Sequence, residues 1–140
     1  MNKNKLIDSI FYPRNSPIAK DENDHIIDMN DGEKIGARFF LKDKSFPTIL
    51  FFHGNAELAQ EYDDIGAYYN NFDLNFIVSD YRGYGLSTGF PNKENLHSDS
   101  KRVFQYVKNY TCILTQKWFL NECFFYLMCF VYSIKALIMS

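Results

Sequence analysis

Two short apolar runs, each ending in a turn that carries glycine, constrain this chain more than any other feature. Thr48-Ile49-Leu50-Phe51-Phe52 leads into His53-Gly54-Asn55-Ala56-Glu57. The stretch from Leu74 to Val78 leads into Ser79-Asp80-Tyr81-Arg82-Gly83-Tyr84-Gly85-Leu86-Ser87. Continuous apolar runs of this length are expected to be strands buried on both faces, as central parallel strands are. Between them Leu58, Tyr62, Ile65 and Tyr69 recur at spacings of four, three and four, which predicts one face of a helix starting near Glu57. Strand, helix and strand make a β-α-β unit. In open parallel sheets ligands bind in the crevice outside the carboxyl ends of the strands. The polar and glycine residues of both turns fall at that end.

The flanking segments extend the same sheet. Residues 1–24 are polar, carry Pro13 and Pro17, and read as a leading arm anchored by Ile10-Phe11-Tyr12. His25-Ile26-Ile27-Asp28-Met29 reads as a strand, and Asn30-Asp31-Gly32-Glu33 as a hairpin turn, since Asp-Gly supplies the positive φ that tight hairpins need. Ile35, Ala37, Phe39 and Leu41 alternate with Gly36, Arg38 and Phe40, a period of two that predicts a half-buried strand. After the loop of residues 82–91, Asn92 is placed to cap a helix whose inner face is Leu96, Val103, Phe104 and Val107, running to about Asn109.

Composition narrows the function classes. A net charge of −2 gives no nucleic-acid footprint. Three cysteines, Cys112, Cys123 and Cys129, have no metal-binding spacing, and an odd count argues against a closed disulfide framework. No apolar run follows the N-terminal lysines, so no signal peptide is expected, and a cytoplasmic setting is the default. Gly83-Tyr84-Gly85 lacks the third glycine of a dinucleotide fingerprint. Asp63-Asp64 reads as a solvated helix face, with no metal partner nearby. His25 and His97 read as surface or boundary residues.

His-Gly-Asn-Ala followed by Asp-Tyr-Arg-Gly-Tyr-Gly-Leu-Ser resembles the first half of an α/β-hydrolase. The likeness is to the serine-hydrolase branch whose members carry HGNAG and then DYRGYGxSxG, and it covers roughly residues 7–109. It implies an α/β fold: an incomplete hydrolase sheet with an antiparallel N-terminal hairpin, a β-α-β unit and a following helix. It also implies that the turn after the first run is an oxyanion loop, whose backbone N–H groups hold the negative oxygen of a tetrahedral intermediate. Asn55 is then the first candidate donor and Ala56 the second. His53 matches the family's structural histidine, which props the loop. Gly54, Asp80, Arg82, Gly83, Gly85 and Ser87 are expected to support the turns rather than react. No cofactor and no metal are implied. The partner of the intact relative would be a small-molecule acyl substrate.

The rest of the family pattern is missing from these 140 residues. The nucleophile of this fold sits in a G-x-S-x-G elbow, with the acid and then the histidine later in the chain. Here no glycine follows Gly89, no aspartate follows Asp99 and no histidine follows His97. The late serines are Ser133 and Ser140, neither in an elbow, and Glu122 is the only late acid. Three domains of reading result: the arm 1–24, the hydrolase part 25–109, and an apolar tail 110–140 that departs from the family. The expectation is a truncated hydrolase that is inactive alone, with the tail the product of a shifted reading frame. Two rivals stand beside it. One is a non-catalytic binding or membrane-tethered module, with residues 123–139 giving weak membrane association. The other is half of a split hydrolase that pairs with a second-half chain. Truncation should also leave one edge of the strand at 48–52 bare, an aggregation risk unless residues 124–134 pair there.

Overall fold

The computed structural model describes residues 11–113. A hairpin opens the fold, with β1 at Asp24–Asp28 and β2 at Lys34–Phe40, paired antiparallel with Ile26 opposite Gly36. The turn closes with Met29 N–H donating to Glu33 O at 2.8 Å, and Gly32 takes φ 88°. β3 spans Pro47–Phe52 and β4 spans Asn75–Ser79. These two lie parallel with Leu50 opposite Ile77, and β4 joins β2 antiparallel. A two-residue strand, β5 at Cys112–Ile113, runs parallel to β3 opposite Pro47 and Thr48. The sheet order is β1-β2-β4-β3-β5.

Alternation along the strands sends side chains to two separate cores. Ile35, Ala37, Phe39 and Ile77 pack with Val103 and Val107 of α2, the helix Lys93–Lys108. Phe40, Phe76 and Val78 pack on the other face with Ala59 and Tyr62. Ile77 is fully buried, which contributes about 1.5–3 kcal/mol relative to exposure. α2 starts as expected: the Asn92 side chain accepts the Asn95 N–H at 2.8 Å, and the Asn95 side chain returns a bond to Asn92 N–H.

Four features differ from the sequence reading. The helix predicted from Glu57 is split into a 3-10 turn at Ala59–Glu61 and the helix α1 at Asp63–Asn70. The break shifts the helical phase, so Tyr62, Gly66 and Tyr69 face the sheet and Ile65 is exposed. Gly66 lets α1 settle directly on Phe40: a Cβ there would lie 2.2 Å from the ring. Secondly, β2 is buried on both faces rather than one, because its outer residues are covered by the arm and by α1. Arg38 on that face is 4% exposed and is held by Asp24 and Asp21 at 2.9 Å and by Asp63 at 2.6 Å. Asp63 is therefore half of an ion pair, not merely a solvated acid. Thirdly, β3 is less buried than expected; of its six residues only Thr48 is fully covered. Lastly, the far edge of β3 is not wholly bare, since β5 pairs with its first two residues. The proposed substitute strand at 124–134 lies outside the described residues, as do the tail's other assignments.

Candidate oxyanion loop and its supports

β3 and β4 run parallel and end side by side, so the turns that follow them meet. His53 leaves β3 fully buried. One ring nitrogen, Nδ1, lies 2.8 Å from Gly54 O, and Nε2 lies 3.0 Å from Asp80 Oδ1. With both nitrogens engaged, the ring is fixed rather than poised to move a proton. Asp80 follows β4 and is 3% exposed. The same Oδ1 accepts Ala59 N–H at 2.9 Å, so one carboxylate ties the first turn, the second turn and the 3-10 turn together. Gly85, at φ 56°, lies over this carboxylate; a Cβ there would sit 2.2 Å from Asp80 Oδ2. Any side chain at that position would drive the two turns apart.

The first turn is closed by its own acid. Gly54 N–H donates to Glu57 Oε2 at 2.8 Å, and Glu57 N–H donates to Gly54 O at 3.3 Å. The Tyr62 hydroxyl donates to the same carboxylate oxygen. Burial first, and then Glu57, push the Tyr62 hydroxyl far above its usual range, so it stays a donor. Tyr81 Oη donates to His53 O at 2.9 Å, and burial likewise raises its pKa.

Tyr84 is fully buried beneath the turn, and its hydroxyl is the hub. It donates to Asn55 Oδ1 at 2.7 Å and accepts backbone hydrogen bonds from Tyr12, at 2.8 Å, and from Ala56. Tyr12 N–H also approaches Asn55 Oδ1 at 3.1 Å. Of the two candidate donors, the Ala56 amide is thus directed inward at Tyr84, while Asn55 is an exposed residue whose side chain is drawn to the same hydroxyl. Ser87 is 9% exposed and its Oγ accepts Gly36 N–H at 2.9 Å, a contact that fastens the second turn to β2. Arg82 grips Asp99 of α2 through Nε and a terminal nitrogen, both at 2.7 Å, and reaches Asp31 at 2.7 Å. Its role extends beyond its own loop: it fixes α2 and the hairpin turn against the crest.

No protein-family model matches the chain. Among curated proteins, it is 35% identical over 65 residues to the protein bem46 of Schizosaccharomyces pombe, covering 46% of this chain and 22% of that one. It is 38% identical over 63 residues to the alpha/beta hydrolase domain-containing protein aho-3 of Caenorhabditis elegans, covering 44% and 19%. With the alpha/beta hydrolase domain-containing protein WAV2 of Arabidopsis thaliana the identity is 29% over 91 residues, covering 63% and 30%. Among solved structures, that of DcsB in complex with its substrate analogue superposes with a TM-score of 0.52 at 19% identity, covering 65% of this chain and 33% of that chain. This last likeness is one of fold.

These likenesses support the α/β-hydrolase superfamily for the matched part of the chain. The chain spans less than a third of the length of these three curated relatives. The described residues hold an antiparallel hairpin, a β-α-β unit, the following helix and the two-residue parallel strand β5. Among them there is no cluster of metal-ligating side chains, and no helix is long and apolar enough to cross a membrane.

Sequence reading placed His53, Gly54, Asp80, Arg82, Gly83, Gly85 and Ser87 in this hydrolase crest, and all of them lie at or against the two turns. It passed over Glu57, Tyr84 and Arg14, and gave Tyr12 only as part of the arm's anchor. One signal for Glu57 was available, since it stands where the family motif has glycine. The hydrogen-bond partners of the two arm residues carried no local signal, because they lie some forty to seventy positions away.

Proposed function

We propose that this chain is the N-terminal part of a serine hydrolase of acyl bonds, retaining the oxyanion loop and lacking nucleophile, acid and catalytic histidine. The intact relative would cleave an ester, thioester or peptide bond of a small-molecule substrate without a cofactor. The observation that carries the reading is the bond of His53 and Ala59 to one buried carboxylate, Asp80, at the carboxyl ends of two parallel strands. That lock holds a turn of backbone amides at the place where such sheets put their chemistry. Asn55 is the proposed donor to the oxyanion. Ala56 is the weaker candidate, since its amide is engaged with Tyr84. In a complete site one such donor is worth about 2.7–4 kcal/mol of transition-state stabilisation.

Ser87 does not serve as the attacking group in this reading, because its hydroxyl is buried against Gly36. The purified chain is expected to take no label from a fluorophosphonate probe and to leave p-nitrophenyl esters intact. A specific adduct, or turnover abolished by Ser87→Ala, would overturn the reading.

A second reading, half of a split hydrolase, draws support from β3. Among the described residues β5 pairs in parallel with the first two residues of β3, which marks this as the edge where strands of a second half would add. Co-purification with a chain that carries G-x-S-x-G, and fluorophosphonate labelling of the mixture alone, is the expected result. Absence of any such partner would return the assignment to the first reading.

A further inference from the structure

The leading arm does more than anchor the domain. Arg14 O accepts Gly85 N–H at 2.9 Å, and Ser16 N–H donates to Gly85 O at 3.1 Å, so the arm pairs with the turn after β4. Tyr12 N–H reaches both Tyr84 Oη and Asn55 Oδ1. Arg14 Nε donates to Ala56 O at 2.7 Å, and its guanidinium pairs with Glu61. The Ser16 hydroxyl meets Gln60. Residues 12–16 therefore cross over both turns of the crest and the 3-10 turn beside them.

What they cross over is strained. Ala56 sits at φ 63°, the left-handed region that a residue with a Cβ disfavours. Such a conformation persists when surrounding contacts over-determine it. Here two contacts act on the Ala56 backbone: its amide faces Tyr84 Oη and its carbonyl faces Arg14 Nε. The Arg14–Glu61 ion pair is not what matters, since both side chains are about two-fifths exposed, at 41% and 43%, and exposed pairs contribute little.

We infer that residues 12–16 are a strap that pre-sets the oxyanion loop, with Arg14 the positioning residue that holds the Ala56 carbonyl. Its use in aiming the loop amides rests on the oxyanion reading given above; the strap itself does not.

Amide hydrogen exchange on the full chain, read residue by residue by NMR, tests this. Arg14→Ala should speed exchange of the amides at 54–59 by about tenfold, the worth of one hydrogen bond, and leave those of the β1–β2 hairpin and α2 unchanged. Arg14→Lys, which lacks Nε, should behave like Arg14→Ala. Glu61→Gln should leave the loop protected. Ala56→Gly removes the strain that Arg14 restrains, so Arg14→Ala in that background should have a much smaller effect than alone. Unchanged loop exchange in Arg14→Ala, equal acceleration everywhere, or additive effects with Ala56→Gly would each overturn the strap. If the exchange pattern holds and a specific fluorophosphonate adduct forms on the purified chain, the strap stands and the function proposed above falls. If no adduct forms and the exchange pattern is absent, the reverse follows.

Discussion

At the scale of residues, buried charge is the largest single liability of this molecule. The Asp24 side chain is 2% exposed and its cation is Arg38, itself 5% exposed. Gln60 Nε2 donates to the other Asp24 oxygen at 2.6 Å. Breaking such a pair by removing one partner typically costs 3–5 kcal/mol, because the remaining charge stays buried. Arg38→Ala is therefore expected to lower stability by about 3–5 kcal/mol, read from urea unfolding. Asp63→Asn, whose side chain is 59% exposed, should cost about 1 kcal/mol or less. A second residue-scale prediction concerns pH. His25 stacks on Phe39 with ring centroids 3.9 Å apart, edge-on to Tyr110. Burial, and then Lys20, hold its pKa below the ordinary 6.5. The unfolded chain thus binds this proton more readily than the folded one. The stability it confers is fully present above pH 6.5 and is lost as pH falls through the lower folded value. Asp21, Asp31 and Asp43 are also held below 3.8, so their contribution is lost only at more acidic pH. His25→Phe should keep the stack and abolish the first, near-neutral fall in a melting-temperature profile against pH. A profile with that fall intact would show that another group titrates there.

At the scale of elements, the two helices differ in how much of each was legible. α2 carried its cap and its apolar spacing in one stretch, and both appear, with Val103 and Val107 buried. Asn92→Ala should cost about 1 kcal/mol, seen as a lower unfolding midpoint with α2 amides exchanging faster. α1 was misread because a 3-10 turn interrupts the period, and because a glycine does not register as a buried position. Gly66 is nonetheless the contact point with Phe40. Gly66→Ala favours helix locally by about 1 kcal/mol, yet the added Cβ has no room, so the net result should be destabilising by about 1–3 kcal/mol. A stabilised variant would mean that α1 is free to lift from the sheet. The crest follows the same division. The residues that turn the chain, Gly83 and Gly85, announce themselves. Tyr84 between them does not, since its value lies in a hydroxyl aimed at Asn55, Tyr12 and Ala56.

At the scale of the whole molecule, the sheet is asymmetric. β4 lies between β2 and β3 and is buried along its whole length, whereas β3 is mostly half-covered and meets β5 over two residues. Among the described residues that is the extent of the β3–β5 pairing, and an apolar strand edge that stays unpaired is a site for association. Sedimentation of the purified chain should show self-association that grows with concentration, suppressed by a partner that completes the sheet; a monodisperse chain at every concentration would refute this. Sequence by itself determined the β-α-β unit, the hairpin, the capped helix and the family, because periodicity, Asp-Gly turns and the two motifs are encoded by near neighbours. Only the tertiary structure decided that Asp80 serves both turns and the 3-10 turn, that Arg82 grips Asp99, and that the arm crosses the crest at Ala56. Those contacts join residues far apart in the chain, and hydrogen-bond partnership at such range depends on where the packed sheet brings the groups, not on which residues stand beside them.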